Sequence, residues 1–342
     1  MGRRHGQALG GELRQLRRVL LAYLAQVSLY GGGLPLFGLL LFLARRFWPF
    51  LPPRLKQEMQ GVAAGAQVGL GTVLLINVLD DLANSSPRCS SVAVGEGRTA
   101  DGAYLMGRNL DYPVFTEAMV RLQTLFLMEP DQGLPLASVA WPGYIGVCTG
   151  LNKAGVGLAQ HSAMSRQRTL QGVPAALRFR QALEEGDTVL GVAARVLKTP
   201  GTIGNNLALL SPDQAAVMEL AARRGEVRRP EGGLLTATNH YQSPAMQALK
   251  GRFPPRPPFS PLSRYHFSEA YSQARNQRLR QLAGDGKLGV AEIQQILGDS
   301  QIANPGTVVS VVFAPGQRTL WVAGGQAPPV SQGPFTKVKL WD

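Results

Sequence analysis

The sequence has little of what several classes of enzyme and binding protein need. Only two cysteines, Cys89 and Cys148, occur in 342 residues, so there is no disulfide framework. The four histidines lack the spacing of metal ligands. Neither a phosphate-binding P-loop nor a dinucleotide-binding GxGxxG motif is present. The sequence therefore indicates neither a metal site nor a cofactor.

Acidic residues are also scarce. The chain has 22 Asp and Glu against 35 Lys and Arg, which gives a formal net charge of +13 and predicts contact with an anionic surface. The positive charge is scattered, aromatic residues make up only 7%, and no nucleic-acid-binding motif occurs. These observations argue against a nucleic-acid partner and leave an anionic membrane surface as the candidate.

The segment 19–44 contains no charged residue and lies between arginine pairs at 17–18 and 45–46. It is long enough to span a bilayer, but the glycines and proline at 31–35 would split it into two short apolar helices. Three alternatives stay open at this point: a spanning helix, helices lying at the membrane interface, and helices packed on the core. No small-residue cleavage site marks a signal peptide, so the localisation is not defined.

The most informative stretch runs from Cys89 to Tyr112. Alternating apolar residues precede a glycine-rich turn at 95–102, and a second apolar run begins at Tyr104. This pattern predicts a β-hairpin, which would bring Arg108 and Asp111 back beside Cys89.

Such a cluster has a definite chemistry. A thiol is nucleophilic only as a thiolate, and a nearby guanidinium, here that of Arg108, lowers its pKa from about 8.5. If the chain were cut before Cys89, the new α-amine, with a reference pKa of about 7.7 to 8, could act as the base and Asp111 could hold it. On these residues alone, a buried cysteine beside a surface ion pair remains the alternative.

The order of predicted elements indicates a layered fold. The first 88 residues are mostly helical, with two helices over 54–83 and a loop at 84–87 leading to Cys89. Helical periodicity returns at 173–197 and 267–282, and residues 251–262 form a Pro-rich loop. Strands are predicted at 121–128, 136–141, 144–149, 206–210, 215–221, 234–238, 307–313 and 318–323. Blocks of strands and helices favour an α+β fold over a parallel crossover fold.

The following motifs succeed one another along the chain in a recognisable order: HGQALG, EMQGVAAGAQVGLGTVLLINVLDDL, CSS, DGAYLMGRNLDY, PGYIGVCTGLNKAGVGLA, GNNLALLSPDQAAVMEL, ATNHY, SQARNQRL, and TVVSVVFAP with LWVAGGQ. In this the chain resembles the cysteine N-terminal-nucleophile (Ntn) hydrolases of the penicillin acyltransferase and acid ceramidase type, which share a superfamily with the choloylglycine (bile salt) hydrolases. The resemblance implies a four-layer αββα sandwich made as a precursor that cuts itself before Cys89. It divides the chain into a helical prosegment, 1–88, and a catalytic core, 89–342, which remain associated as α and β fragments.

The resemblance also implies a set of site residues. Cys89 would be the nucleophile and the new N-terminus, and Arg108 and Asp111 match the family's Arg-x-x-Asp. Asn239, in Thr-Asn-His, matches an oxyanion-stabilising asparagine, and Arg275, in Ser-x-x-Arg, matches a later active-site arginine.

Three points depart from the family pattern or leave it ambiguous. Arg278 is an alternative to Arg275, and either could lie on a solvated helix face. His161 occupies a position where many relatives carry an asparagine. The chain begins almost at HGQALG, without the leading strand and secretion signal usual in relatives, so no localisation is implied.

The implied function is hydrolysis of a non-peptide N-acyl amide, with a long-chain lipid amide as the expected substrate, through an acyl-thioester on Cys89. An acyltransferase that passes the acyl group to an amine is the first alternative, since it shares the first half-reaction. A catalytically inactive, membrane-associated relative is the second, and the joint presence of Cys89, Arg108, Asp111 and Asn239 argues against it.

Overall fold

The computed structural model describes residues 1–30, 33, 35–83, 88–112, 114–253, 268–325 and 327–341. The predicted loop at 84–87 and most of the breaks at 31–35 and 251–262 lie outside the described residues. The helices are α1 Gly2–Ala8, α2 Gly10–Tyr30, α3 Leu36–Ala44, α4 Pro53–Ala66, α5 Leu70–Ala83, α6 Thr116–Arg121, α7 Ala175–Glu185, α8 Val189–Lys198, α9 Pro244–Gln247, α10 Glu269–Ala283 and α11 Val290–Gly298. The strands are β1 Arg88–Val94, β2 Leu105–Asp111, β3 Thr124–Met128, β4 Leu136–Ala140, β5 Thr149–Asn152, β6 Gly157–Ser162, β7 Asn205–Leu210, β8 Ala215–Leu220, β9 Gly225–Arg228, β10 Leu234–Ala237, β11 Thr307–Ala314, β12 Thr319–Ala323 and β13 Phe335–Lys339.

The strands form two antiparallel sheets. The first sheet has the order β10-β1-β2-β11-β12-β13, and the second runs from β3 to β9 in sequence order. The central hairpin β1–β2 is confirmed, with β10 and β11 completing the sheet on either side. The nucleophile candidate therefore lies on an internal strand rather than at a sheet edge.

Helices cover the outer face of each sheet. Ile293 of α11 packs with Val312 of β11 on the first sheet, and Phe179 of α7 packs with Leu207 of β7 on the second. A third apolar cluster, with Cys89 among its residues, fills the space between the sheets. The expected four-layer αββα sandwich is confirmed.

Strand alternation decides which side chains of β1 enter the space between the sheets. Val92 and Val94 point towards α10 and α11, whereas Cys89 and Ala93 belong to the cluster between the sheets. Successive side chains of a strand point to opposite faces, so this split follows from the sequence CSSVAV. The alternation therefore directs the thiol into the interior.

The N-terminal helices pack tightly on each other and on α7. A Cβ atom on Gly6 of α1 would lie 2.3 Å from the carbonyl oxygen of Val62 in α4, so only glycine allows this approach. Arg180 of α7 pairs with Glu58 of α4 at 2.7 Å, and both side chains are largely buried. The close approach at Gly6 explains the need for glycine at this position of the HGQALG motif.

Several element predictions were wrong. Residues 144–148 form no strand: a turn places Tyr144 N on Trp141 O, and β5 begins only at Thr149. The run is apolar because it is buried between layers, and a short apolar run does not reveal its secondary structure. The strand expected from 121 begins at Thr124, after α6. The sequence analysis also missed α11, β9 and β13.

The uncharged segment 19–44 lies on α2 and α3. Leu20 and Leu24 are buried, but Leu29 is 79% exposed and Phe42 is 60% exposed. Within the described part of the chain, none of the helices combines the length and the hydropathy needed to cross a bilayer. The two helices thus bury one side and present apolar side chains on another.

Candidate active site

The pairing of β1 with β2 assembles the centre of the site. Arg88 lies opposite Asp111, and Cys89 lies opposite Leu110. Arg108 sits on the same strand as Asp111 and is completely buried. The hairpin predicted from the sequence thus brings the thiol, the guanidinium and the carboxylate together.

Arg108 is held by three acceptors. Its Nη2 donates to Cys89 Sγ at 3.6 Å and to the carbonyl oxygen of Gln160 at 2.7 Å, and its Nη1 donates to Thr149 Oγ1 at 2.6 Å. Thr149 and Gln160 belong to the second sheet. Arg108 therefore links the two sheets and faces the sulfur with a fixed positive charge.

Burial nevertheless has the larger effect on the pKa of the Cys89 thiol. It raises the pKa of Cys89 to about 12, and the guanidinium of Arg108 offsets only part of this effect. Arg108 thus lowers the thiol pKa as expected, but burial raises it by more, and the net shift in the intact chain is upward. At neutral pH the thiol keeps its proton, so nucleophilic attack requires a base.

Asn239 and Arg275 hold the backbone of Cys89. The Cys89 N–H donates to Asn239 Oδ1 at 3.0 Å, and Arg275 Nη1 donates to the Cys89 carbonyl oxygen at 3.2 Å. Arg275 Nη2 also donates to Asn239 Oδ1 at 2.7 Å, and Asn239 Nδ2 donates to the carbonyl oxygen of Ser162 at 2.8 Å. Both backbone polar groups of residue 89 are therefore hydrogen-bonded to side chains of the site.

The structure separates the two arginines of α10. Arg275 is buried in the site, whereas Arg278 pairs with Asp299 at 2.6 Å and is partly exposed. Three residues correspond to 300° of rotation about a helix axis, which places the two side chains in different surroundings. The alternative of Arg278 as the active-site arginine is not supported by its position.

Asp111 is a buried carboxylate with several donors. Its Oδ2 accepts from Asn304 Nδ2 at 2.8 Å and from Arg275 Nη1 at 3.2 Å, and its Oδ1 accepts from Thr307 Oγ1 at 2.7 Å. Burial raises the pKa of Asp111, while Arg275 and the two hydrogen bonds act in the opposite direction. The sequence analysis missed Thr307 and Asn304, which lie about 200 residues along the chain from Asp111.

His161 joins the two sheets beside the site. Its Nδ1 lies 2.9 Å from the carbonyl oxygen of Asn206, which can only accept, so Nδ1 carries the proton. Its Nε2 lies 2.8 Å from Ser91 Oγ and therefore accepts from that hydroxyl. Burial lowers the pKa of His161 to about 3, which keeps the ring neutral. The imidazole thus connects β6 to β1 two residues beyond Cys89.

An apolar cavity adjoins the sulfur. Its walls come from α2, α5, β2 and the loop before β5, and include Leu16, Leu20, Ile76, Leu110 and Trp141. Cys89, Arg108 and Gln160 also line it, so a ligand there would meet the nucleophile candidate. Apolar walls with a few polar groups at one end are typical of a small-molecule site.

Residues 98–328 match the family described as "Acyl-coenzyme A:6-aminopenicillanic acid acyl-transferase". The chain belongs to this family. The matched range includes Arg108, Asp111, Asn239 and Arg275, and Cys89 precedes it. The expected superfamily of Ntn hydrolases and acyltransferases is confirmed, and the chain is an enzyme of that superfamily.

Curated relatives are distant. An uncharacterised protein of Archaeoglobus fulgidus shares 27% identity over 217 residues, which cover 55% of this chain and 35% of that protein. Protein dcd1A of Dictyostelium discoideum shares 23% identity over 163 residues, 45% of this chain and 36% of that protein. The matches thus span about a third of the length of these relatives.

Two solved structures are also similar to this chain. One is an N-acylethanolamine-hydrolysing acid amidase orthologue of Caenorhabditis elegans, with 15% identity, a TM-score of 0.49, and coverage of 73% of this chain and 100% of that chain. The other is a mutant of the conjugated bile acid hydrolase from Clostridium perfringens, with 14% identity, a TM-score of 0.47, and coverage of 74% and 92%.

Proposed function

We propose that this enzyme cuts itself between Arg88 and Cys89 and then cleaves a non-peptide N-acyl amide through an acyl-thioester on Cys89. The observation that carries the proposal is the placement of both reactive atoms of residue 89. Its nitrogen donates to Asn239 Oδ1 at 3.0 Å, while its sulfur faces Arg108 at 3.6 Å and lines the apolar cavity. Once the bond to Arg88 is broken, that nitrogen is an α-amine beside the thiol.

The amine supplies the base that the buried thiol needs. It takes the thiol proton as the sulfur attacks the amide carbonyl, and it returns that proton to the departing amine as the C–N bond breaks. Water then attacks the thioester, and the released acid leaves the thiol regenerated. A reference pKa of about 7.7 to 8 makes the α-amine a suitable base near neutrality.

The acyl-enzyme is the species that tests this mechanism. With an excess of a fluorogenic N-acyl amide and acid quenching within the first turnover, the fragment beginning at Cys89 is expected to gain the mass of one acyl group. Hydroxylamine should remove the added mass, since it cleaves thioesters. Turnover without any acylated fragment, or acylation that persists in Cys89→Ala, would overturn the proposal.

An acyltransferase is the second candidate, and the family description favours keeping it. Both reactions share the acyl-thioester and differ in whether water or an amine accepts the acyl group. Added primary amines would divert product from free acid to a new amide in a transferase. A catalytically inactive relative is disfavoured by the contacts around Cys89: Arg108 and Asn239 bond to it directly, and Arg275 links it to Asp111.

We further propose that the two fragments stay associated after the cut. Arg180 of the core pairs with Glu58 of the prosegment at 2.7 Å, and the pair is shielded from water. Arg54 of the prosegment also contacts Glu184 of the core. Separation would break these pairs and expose the apolar side chains of α4 and α5 that pack with Ile145 and Leu177 of the core, which is unfavourable in proportion to the area exposed.

The exposed apolar side chains of α2 and α3 support a substrate presented from a membrane or micelle. Leu29, Leu39 and Phe42 are 79%, 45% and 60% exposed, and the arginine pairs at 17–18 and 45–46 flank the segment. Apolar patches of this kind mark lipid or protein contact, and each arginine near an anionic bilayer contributes about 1 kcal/mol. We therefore infer a long-chain N-acyl amide as substrate.

Vesicle binding and chain-length preference test the lipid proposal. We expect kcat/KM to rise from short to long acyl chains, and anionic vesicles to bind the wild type better than a Leu29→Ser/Phe42→Ser double variant. Leu127→Ser, at an equally exposed position on β3, is the matched control and should bind vesicles like the wild type. A preference for short chains together with no vesicle binding would end the lipid proposal and leave the amidase proposal standing.

A further inference from the structure

Asp80 is the one side chain with a negative charge at neutral pH among the described residues that line the cavity beside Cys89. It lies near the end of α5, between the apolar wall residue Leu79 and the buried Asp81. A carboxylate is expensive to place among apolar side chains unless it is paired or hydrogen-bonded. Its presence in this wall therefore needs a reason.

The neighbouring carboxylate, that of Asp81, has a structural role and serves as the comparison for Asp80. Asp81 is 2% exposed, and its Oδ1 accepts from the Ala175 N–H at 3.0 Å and from the hydroxyl of Thr202. These bonds attach α5 to the start of α7 and to the segment before β7. Asp81 is thus fixed by the protein itself.

Asp80 has no comparable partners among the described residues. Its hydrogen bond from the Tyr112 hydroxyl is 3.4 Å long and therefore weak. The ion pairs found in the described part of the chain do not include it. The last turn of a helix also disfavours negative charge. The fold alone gives this half-buried carboxylate little that would offset its partial desolvation.

We propose that Asp80 recognises a protonated amine carried by the part of the substrate that enters the cavity. An ammonium group neutralises the carboxylate and donates several hydrogen bonds, whereas a hydroxyl group satisfies one oxygen and leaves the charge in place. The proposal rests on the amidase function and adds a specificity to the same cavity. Tyr112 directly follows Asp111 in the chain, so the recognition group lies close to the catalytic strand.

The titration of Asp80 is compatible with this role. Burial raises the pKa of Asp80 to about 6, so most of the carboxyl groups are still ionised at pH 7. A bound cation would favour the ionised form further.

Two matched substrate series test the proposal in the full-length enzyme. One varies the end of the acyl chain, as hexanoyl, 6-hydroxyhexanoyl and 6-aminohexanoyl amides of one fluorogenic amine. The other varies the leaving amine on an octanoyl chain, as propylamine, ethanolamine and ethylenediamine. In one series the ammonium member should exceed the apolar member in kcat/KM by about 10- to 100-fold, the usual contribution of a charged hydrogen bond in a desolvated site.

Variants assign that preference to Asp80. Asp80→Asn keeps the shape and should remove the preference for ammonium, while Asp80→Leu should reverse it. Asp81→Asn is the matched control: it keeps the Oδ1 that accepts both hydrogen bonds and should leave the preference intact. An ammonium preference that survives in Asp80→Asn, or a preference for the hydroxyl or apolar members in both series, overturns the proposal.

A binding measurement tests the role of Asp80 even if the protein cleaves none of these amides. Calorimetry with hexylammonium chloride and with 1-hexanol should show at least about 10-fold tighter binding of the ammonium to the wild type, as a charged hydrogen bond would give. Asp80→Asn should abolish this difference. Equal binding of the two probes to the wild type would overturn the role of Asp80, whereas a lack of amide cleavage with selective ammonium binding would count only against the amidase function.

Discussion

Replacement of Cys89 by alanine is expected to leave the chain uncut and without measurable turnover. The thiol is the proposed nucleophile in both reactions. In self-cleavage it attacks the Arg88 carbonyl carbon, its proton passes to the leaving Cys89 nitrogen, and water then hydrolyses the thioester. The α-amine freed in this way is the base for amide cleavage only. Intact-mass analysis of the purified wild type should therefore give fragments 1–88 and 89–342, and Cys89→Ala should give the full chain alone.

The second cysteine supplies the control. Cys148 is also buried and lines the same cavity, but within the described chain no site side chain holds its backbone in the way that Asn239 and Arg275 hold Cys89. Cys148→Ser is therefore expected to be cut at the same bond. A fully active uncut wild type, or a cut Cys89→Ala chain, would refute self-processing at this position.

The Arg88–Cys89 bond lies within a strand, whereas the sequence analysis placed it between a loop and a strand. The predicted change from loop to strand was placed at Cys89, but β1 already begins at Arg88, which pairs with Asp111 and is 7% exposed. Burial, together with the nearby charge of Arg275, lowers the pKa of Arg88 to about 9.

What could be predicted from the sequence was local or motif-based. The hairpin from Cys89 to Asp111 followed from strand alternation around a glycine-rich turn, and Arg275 followed from the Ser-x-x-Arg motif. Both depend on residues close together in the chain. The order of motifs then led to the αββα sandwich.

What could not be predicted depends on burial and on distant partners. Thr307 and Asn304 are ordinary residues whose role appears only when β11 is placed next to β2. The same holds for the bond between Ser91 and His161, which joins two different sheets. The net upward shift of the Cys89 pKa could not be predicted for a related reason, since desolvation by the whole fold outweighs the lowering by Arg108.

Loss of the Asn239 amide is expected to lower kcat by about 100- to 1000-fold with little change in KM, because removal of one oxyanion donor typically has an effect of this size. Asn239 Nδ2 donates to the carbonyl oxygen of Ser162, a residue that lines the cavity, so this amide lies beside the place where an oxygen anion would develop during attack by Cys89. Because Asn239 Oδ1 also accepts from Cys89 N, turnover should be normalised to the cut fraction measured by mass.

Two substitutions separate the roles of the two ends of this amide. Asn239→Ala removes both, whereas Asn239→Asp keeps an acceptor for Cys89 N and gains an ion pair with Arg275, but loses the Nδ2 donor. If Nδ2 stabilises the oxyanion, both variants should lose kcat to a similar extent, and Arg278→Ala, three residues beyond Arg275 on α10, should match the wild type. Near-normal kcat in Asn239→Asp would instead assign Asn239 to holding the nitrogen of Cys89, and an effect confined to KM would assign it to substrate binding.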